Sequence, residues 1–112
     1  MLKGTQTQGA VRRAQWGDTV LAESAHTQRV DGYEYFPPHA VRWELLEKSA
    51  ATSVCFWKGQ GSYFDAVVGS DRLPQAAWTY ADPSPAANHI RGHVAFWRLV
   101  RVVAGDHAVD GF

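Results

Sequence analysis

The only cysteine of the chain, Cys55, stands three residues before Lys58, in a segment rich in aromatic residues and glycines. A cysteine reacts as its thiolate, and a nearby ammonium group is one of the few local features that lower a thiol pKa. The pair therefore indicates covalent catalysis by Cys55, or a Lys58 that forms a Schiff base or acts as a general acid. Lys58 is also a candidate for binding an anionic ligand.

A second interpretation of the same segment is purely structural. Successive side chains of a strand point to opposite faces, so Cys55 and Lys58 lie on opposite faces unless a turn brings the lysine back. Cysteine is among the residue types most often buried, and it behaves in a core as a small apolar group. On this interpretation Cys55 fills space and Lys58 is solvated.

Aromatic residues near this pair indicate a binding surface. Rings supply contact area, while a Tyr hydroxyl or a Trp N–H fixes the orientation of a flat ligand. The alternative is that the same rings simply form core. The predicted ligand-binding residues are Lys58, Tyr63, Trp78, Tyr80 and Trp57.

Composition limits the function classes. The 112 residues match one domain with a single core. Eleven basic residues balance eleven acidic ones, so no net charge attracts nucleic acid or a membrane surface. We therefore predict no nucleic-acid and no membrane partner. The partner that the lysine and the aromatic residues indicate is a small-molecule ligand, whereas the sequence indicates neither a cofactor nor an oligomeric state.

The cysteine count and the absence of apolar runs bear on location. One cysteine cannot form an internal disulfide, and structural zinc sites use two or more thiolates. No metal site is therefore predicted, and a reducing cytoplasmic location fits best. The first nine residues are polar, and no later window approaches the roughly 20 apolar residues of a membrane span.

The elements that must position these side chains are predicted to be strands. Short segments of alternating apolar and polar residues, separated by Gly, Asp and Pro, indicate a mainly β, antiparallel domain. One hairpin joins residues 11–16 and 19–25. A second joins 28–30 and 33–36 through Asp31-Gly32, a dipeptide typical of the type I′ turn.

In the middle of the chain the secondary structure has more than one interpretation. Residues 39–48 fit both a helical and a strand pattern, and we favour one helical turn over 38–41 followed by a strand. Residues 53–57 and 62–68 are predicted to form a hairpin around a turn at 58–61. Two glycines in that turn can adopt positive φ without strain.

The remaining elements are short. They are a strand over 76–80, a helical turn over 86–90, and strands over 93–97 and 99–103 that close the sheet. The prediction is one β-rich domain, with at most one or two short helical turns. Its bounds are a flexible segment at 1–10, the domain at 11–103 and a tail at 104–112.

Five sequence blocks occur in a fixed order along the chain. They are residues 18–24 (DTVLAES), 35–41 (YFPPHAV), 55–59 (CFWKG) with Tyr63, 77–80 (AWTY) with Pro83, and 90–96 (IRGHVAF). With these blocks the chain resembles the domain of unknown function 427 family over roughly residues 11–97.

This resemblance implies a fold and no reaction. The implied fold is the β-tent, in which two small antiparallel sheets lean on each other and leave a cleft. The family sometimes carries a nucleotidyltransferase-like label, but the chain lacks the Gly-Ser pair and spaced aspartates that hold Mg²⁺ in such enzymes. The family's usual proline after the cysteine is Phe56 here, and tent-fold relatives that bind zinc use paired cysteines.

The sequence therefore predicts a small cytoplasmic β domain that binds a small anionic or aromatic ligand in an inter-sheet cleft. One alternative is an enzyme that uses Cys55 or Lys58 in covalent or acid/base catalysis. Another is a non-catalytic interaction module that presents a strand edge or an aromatic patch to a protein partner.

Overall fold

The computed structural model describes residues 10–104, which are mainly β. Within that range lie nine strands and three short 3₁₀ helices, the helices at Pro38–Ala40, Trp43–Leu45 and Pro85–Ile90. The strands are β1 (Arg12–Trp16), β2 (Thr19–Ser24), β3 (Gln28–Val30), β4 (Tyr33–Tyr35), β5 (Leu46–Cys55), β6 (Gly59–Val68), β7 (Asp71–Thr79), β8 (Val94–Phe96) and β9 (Arg101–Ala104).

All strand pairs in the described range are antiparallel, which confirms the predicted fold class. The strands form a three-stranded sheet in the order β2-β1-β9 and a four-stranded sheet in the order β5-β6-β7-β8. A two-stranded ribbon, β3-β4, is a third sheet where the sequence predicted two. The ribbon joins the four-stranded sheet through a backbone bridge between Phe36 and Val94.

The four-stranded sheet is covered on both faces. On one face Ala77 and Phe96 pack with Leu21 of the three-stranded sheet in one hydrophobic cluster. On the other face Trp78 packs with Tyr35 of the ribbon in a second cluster. Alternation along a strand therefore assigns neighbouring residues to different cores.

The second N-terminal hairpin forms as its sequence predicted. Asp31 and Gly32 both have positive φ, +53° and +87°, as a type I′ turn requires. Gln28 pairs with Tyr35, and Val30 pairs with Tyr33. This turn carries Asp31 to the tip of the ribbon, where its carboxylate can meet another part of the chain.

The turn of the central hairpin differs from its prediction. Cys55 pairs directly with Gly59, so the turn consists of residues 56–58, and Gly59 and Gly61 lie in β6. The sequence placed the turn at 58–61, because two glycines are a strong turn signal. Gly59 still has a φ of +110°, and Gly61 packs against the ring of Tyr80.

Two strands also extend or pair differently from their predictions. β7 begins at Asp71, before the predicted start at residue 76, and it contains Pro74 at an irregularity where the backbone of Gln75 has a φ of +52°. Proline is tolerated at such a bulge because no ladder hydrogen bond is required there. β9 pairs with β1 in the three-stranded sheet and does not extend the sheet of β8.

The ambiguous segment at 39–48 contains two 3₁₀ turns before β5 begins at Leu46. The helical turn predicted at 86–90 forms within Pro85–Ile90. The predicted flexible segment and tail lie outside the described residues, except for their inner ends at residues 10 and 104. No helix in the described range is long and apolar enough to cross a membrane.

Candidate functional site

A pocket of about 180 Å³ lies between the ribbon and the four-stranded sheet. Four tyrosines, two tryptophans and one ion pair form its wall. The lining residues are Asp31, Tyr33, Tyr35, Lys58, Tyr63, Trp78, Tyr80 and Trp97. We call this space the aromatic pocket.

Strand periodicity explains why these rings converge. Tyr33 and Tyr35 are two residues apart in β4, so their side chains share one face of the ribbon. Trp78 and Tyr80 are likewise two apart, and Tyr63 pairs with Trp78 across β6 and β7. The ribbon and the sheet therefore face each other with aromatic surfaces.

Trp78 is the centre of this ring cluster. Its ring centroid lies 4.9 Å from that of Tyr33 and 5.2 Å from that of Trp97, both in edge-to-face contact. The indole N–H of Trp78 donates a buried hydrogen bond of 3.1 Å to the hydroxyl of Tyr35. Packing and this hydrogen bond hold the pocket wall in one arrangement.

Trp97 is held from outside the pocket. Its indole N–H donates to the backbone carbonyl of Gln75 at 2.6 Å, at the irregularity in β7. The guanidinium of Arg98 also lies 4.7 Å from the centre of the Trp97 ring. The bulge around Pro74 thus has a positioning role for a ring that lines the pocket.

Lys58 supplies the positive charge of the site. The residue is 6% exposed, and its ammonium donates a 2.6 Å hydrogen bond to the carboxylate of Asp31. Its Nζ also lies 4.9 Å from the ring centre of Trp57 and 5.7 Å from that of Tyr80. The ammonium is therefore enclosed by a carboxylate and two aromatic rings.

The pKa values of this ion pair reflect its surroundings. Burial acts to lower the pKa of Lys58, but the hydrogen bond to Asp31 and the nearby Tyr35 outweigh it and raise that pKa. The hydrogen bond from Lys58 lowers the pKa of Asp31. Both groups are consequently charged at neutral pH.

The loop after β7 holds the turn that presents Lys58. The backbone N–H of Ser84 donates to the Lys58 carbonyl at 3.0 Å, and the Ser84 hydroxyl donates to the Trp57 carbonyl. A Cβ at Gly59 would lie 3.5 Å from the Cα of Pro83. The turn therefore packs tightly against this loop, while Phe56 at its tip is 97% exposed.

Cys55 lies beside Lys58 but does not line the pocket. The thiol is half-buried, and burial acts to raise its pKa. Hydrogen bonds from the backbone N–H groups of Trp57 and Lys58, together with the charge of Lys58, outweigh burial and lower the pKa of Cys55. The turn thus brings the lysine back toward the cysteine, so the interpretation with a solvated Lys58 is wrong.

Two tyrosines near Lys58 remain protonated over a wide pH range. Burial raises the pKa of Tyr80 to about 12, and the neighbouring Tyr35 adds to the increase. Burial also raises the pKa of Tyr35. Both hydroxyls therefore act as neutral hydrogen-bonding groups near the ammonium.

The structure brings together most of the site that the sequence predicted. Lys58, Tyr63, Trp78 and Tyr80 all line the aromatic pocket, whereas Trp57 lies outside its lining and contacts the Lys58 ammonium. Among residues 10–104, no three His, Cys, Asp or Glu side chains cluster as a metal site would require.

Sequence reasoning missed four residues of the lining. They are Asp31, Tyr33, Tyr35 and Trp97. The signal for the first three was present, because the hairpin around Asp31 was predicted and its two tyrosines alternate along one strand. What was lacking was the docking of this ribbon onto the four-stranded sheet, which no local pattern encodes.

A known protein family matches most of the chain. The family model described as Domain of unknown function (DUF427) matches residues 5–105, which includes all five sequence blocks noted above and confirms the resemblance based on them. No curated protein that was compared with the chain matches it.

Proposed function

We propose that this chain, which belongs to the DUF427 family, binds a small planar ligand in the aromatic pocket. The observation that carries the proposal is a pocket whose lining combines six aromatic rings with one buried lysine. Purely structural aromatic clusters close on themselves, whereas this one leaves a space of about 180 Å³.

The size of the pocket restricts the ligand. Pockets for drug-sized molecules typically occupy roughly 300–1,000 Å³, so this space suits a molecule of one or two rings. Rings of Trp78, Trp97 and Tyr63 supply flat walls, and Lys58 supplies a donor for a polar group of the ligand. A fragment with an aromatic ring and one acceptor group matches both features.

A fragment screen tests this function. We expect monocyclic aromatic acids and amides to raise the melting temperature, because a ligand at 100 times its Kd stabilises the folded state by about 2.7 kcal/mol. In ¹H–¹⁵N NMR spectra the indole signals of Trp78 and Trp97 should then shift. If no fragment moves either the melting temperature or these two signals, the proposal is wrong.

Two exposed aromatic residues provide a matched pair of variants. Tyr33 lines the pocket and is 38% exposed, while Trp43 is 39% exposed and packs on Phe64 outside the pocket. Tyr33→Ala should weaken fragment binding by about tenfold, the usual effect of losing one aromatic contact. Trp43→Ala should leave binding unchanged, and equal losses in both variants would contradict the assignment.

The lowered pKa of Cys55 favours one second candidate, an enzyme that uses this thiolate as a nucleophile. Lys58 would then both activate the thiolate and hold the anionic part of a substrate. The rate of Cys55 with a thiol reagent tests this candidate, because an activated thiolate reacts faster at neutral pH than a model thiol.

A further inference from the structure

The two charges of the aromatic pocket differ in their access to water. The side chain of Lys58 is 8% exposed, whereas that of Asp31 is 55% exposed at the tip of the ribbon. A solvated carboxylate loses little when its partner is taken over by another anion, since water already surrounds it. A buried ammonium must keep a partner.

Two tyrosine hydroxyls of the pocket have protons to offer to a bound acceptor. The Tyr35 hydroxyl accepts from Trp78, so its own proton is available, and within residues 10–104 this proton and the Tyr80 hydroxyl have no acceptor. The ring centre of Tyr80 lies 5.7 Å from the Lys58 ammonium, and Tyr35 lines the same pocket. Two hydroxyl groups and an ammonium thus share a pocket whose lining holds one carboxylate, that of Asp31.

We propose that the ligand is an aromatic monocarboxylate whose carboxylate replaces that of Asp31 beside Lys58, an inference that rests on the proposed function of the pocket. Asp31 then acts as an internal competitor, and it returns to Lys58 when the ligand leaves. The ring of the ligand lies among the aromatic walls, and its two oxygens accept from Lys58 and the hydroxyls of Tyr35 and Tyr80.

Charge balance favours a carboxylate over a phosphate. Lys58 carries the only positive charge among the lining residues, and Asp31 stays nearby after displacement. A monoanion leaves the ammonium neutralised as before. A phosphate dianion would add a second negative charge close to Asp31 without a cation to match it.

The test compares benzoate with benzamide, which have nearly the same shape and differ in charge. Both compounds are titrated by NMR into the wild type, Asp31→Asn and Lys58→Met, with the indole signals of Trp78 and Trp97 as the readout. Asp18→Asn is the control, because it makes the same chemical change at an exposed hairpin turn outside the pocket.

We expect Asp31→Asn to bind benzoate about tenfold more tightly than the wild type, because the competing carboxylate is gone. Its affinity for benzamide should rise less than its affinity for benzoate, while both affinities of Asp18→Asn should stay within about twofold of the wild type. Lys58→Met should lose the preference for benzoate while it still binds benzamide, which also shows that its pocket is folded.

Three outcomes overturn the inference or part of it, each in a different way. If benzamide and benzoate bind equally well to all variants, the carboxylate assignment is wrong while planar-ligand binding stands. If neither compound shifts the indole signals of any variant, the inference falls together with its premise of a ligand pocket. Unchanged or weaker benzoate binding by Asp31→Asn overturns the role of Asp31 alone.

Discussion

The ammonium of Lys58 lies 2.6 Å from the carboxylate of Asp31, which connects the turn of the ribbon to the turn of the central hairpin across 27 residues of sequence. The two partners of this ion pair differ in exposure, because Lys58 is enclosed and Asp31 faces water. This asymmetry makes the two residues unequal in their effects on stability and on binding.

Removal of the carboxylate should destabilise the fold more than removal of the ammonium. Asp31→Asn leaves a buried charge without its counter-ion, whereas Lys58→Met replaces the ammonium by an apolar group and leaves Asp31 in water. We expect Lys58→Met to change the free energy of unfolding by less than about 1 kcal/mol. Urea denaturation at pH 7 measures both variants, and a larger loss in Lys58→Met would contradict the asymmetry.

Stability should fall at alkaline pH because of Tyr80. Its folded pKa of about 12 exceeds the unfolded value of 10.0, so its stabilising contribution is complete below pH 10 and is lost between pH 10 and 12. At about 1.4 kcal/mol per pKa unit, the loss is at most about 3 kcal/mol.

Tyr80→Phe isolates this contribution, since the variant lacks the titrating hydroxyl. Denaturation at pH 9 and 11.5 should show a steeper loss for the wild type than for Tyr80→Phe. Lys58 also loses stabilisation as the pH rises through its raised pKa, but it does so in both proteins. Parallel losses in the two proteins would show that Tyr80 is not the cause.

Cys55 should react faster than a model thiol at pH 7, and Lys58→Met should slow it. A one-unit change in thiol pKa changes the rate by about threefold, because lower basicity partly offsets the larger thiolate fraction. Lys48→Met is the control, because it changes an exposed lysine on β5, the strand that contains Cys55. Equal rates in all three proteins, no faster than the model thiol, would exclude an activated thiolate.

Gly59→Ala should be more damaging than Gly69→Ala. Gly69 has a φ of +61° and no atom within 4 Å of an added Cβ, so its cost is the left-handed backbone alone, about 1 kcal/mol. Gly59 has a φ of +110°, which alanine rarely adopts, and its Cβ would contact Pro83 and Ser84. We expect a loss of about 2 kcal/mol or more for Gly59→Ala in urea denaturation. Equal losses would contradict the strain argument.

Local sequence patterns predicted the elements whose geometry depends on neighbouring residues. The Asp31-Gly32 turn is an example, because positive φ at two successive positions selects these residue types. The central hairpin was placed wrongly by a few residues. Gly59 provides a φ of +110°, and Gly61 leaves room for the ring of Tyr80, which comes from a distant part of the chain.

The candidate site likewise has one part that local patterns predicted and another that depends on distant contacts. The sequence by itself determined a mainly β domain of this family, with Lys58 and the rings of Tyr63, Trp78 and Tyr80 as its most informative polar and aromatic residues. Residue type and period-two spacing are sufficient for that, because strand geometry alone decides which side chains share a face.

Only the tertiary structure decided that Lys58 is buried, that it pairs with Asp31, and that it lies beside Cys55. The physical reason is that the direction of a side chain at a turn depends on what packs against the turn. Here the ribbon supplies a carboxylate and the loop at Ser84 holds the backbone, so the ammonium points into the aromatic pocket rather than into water.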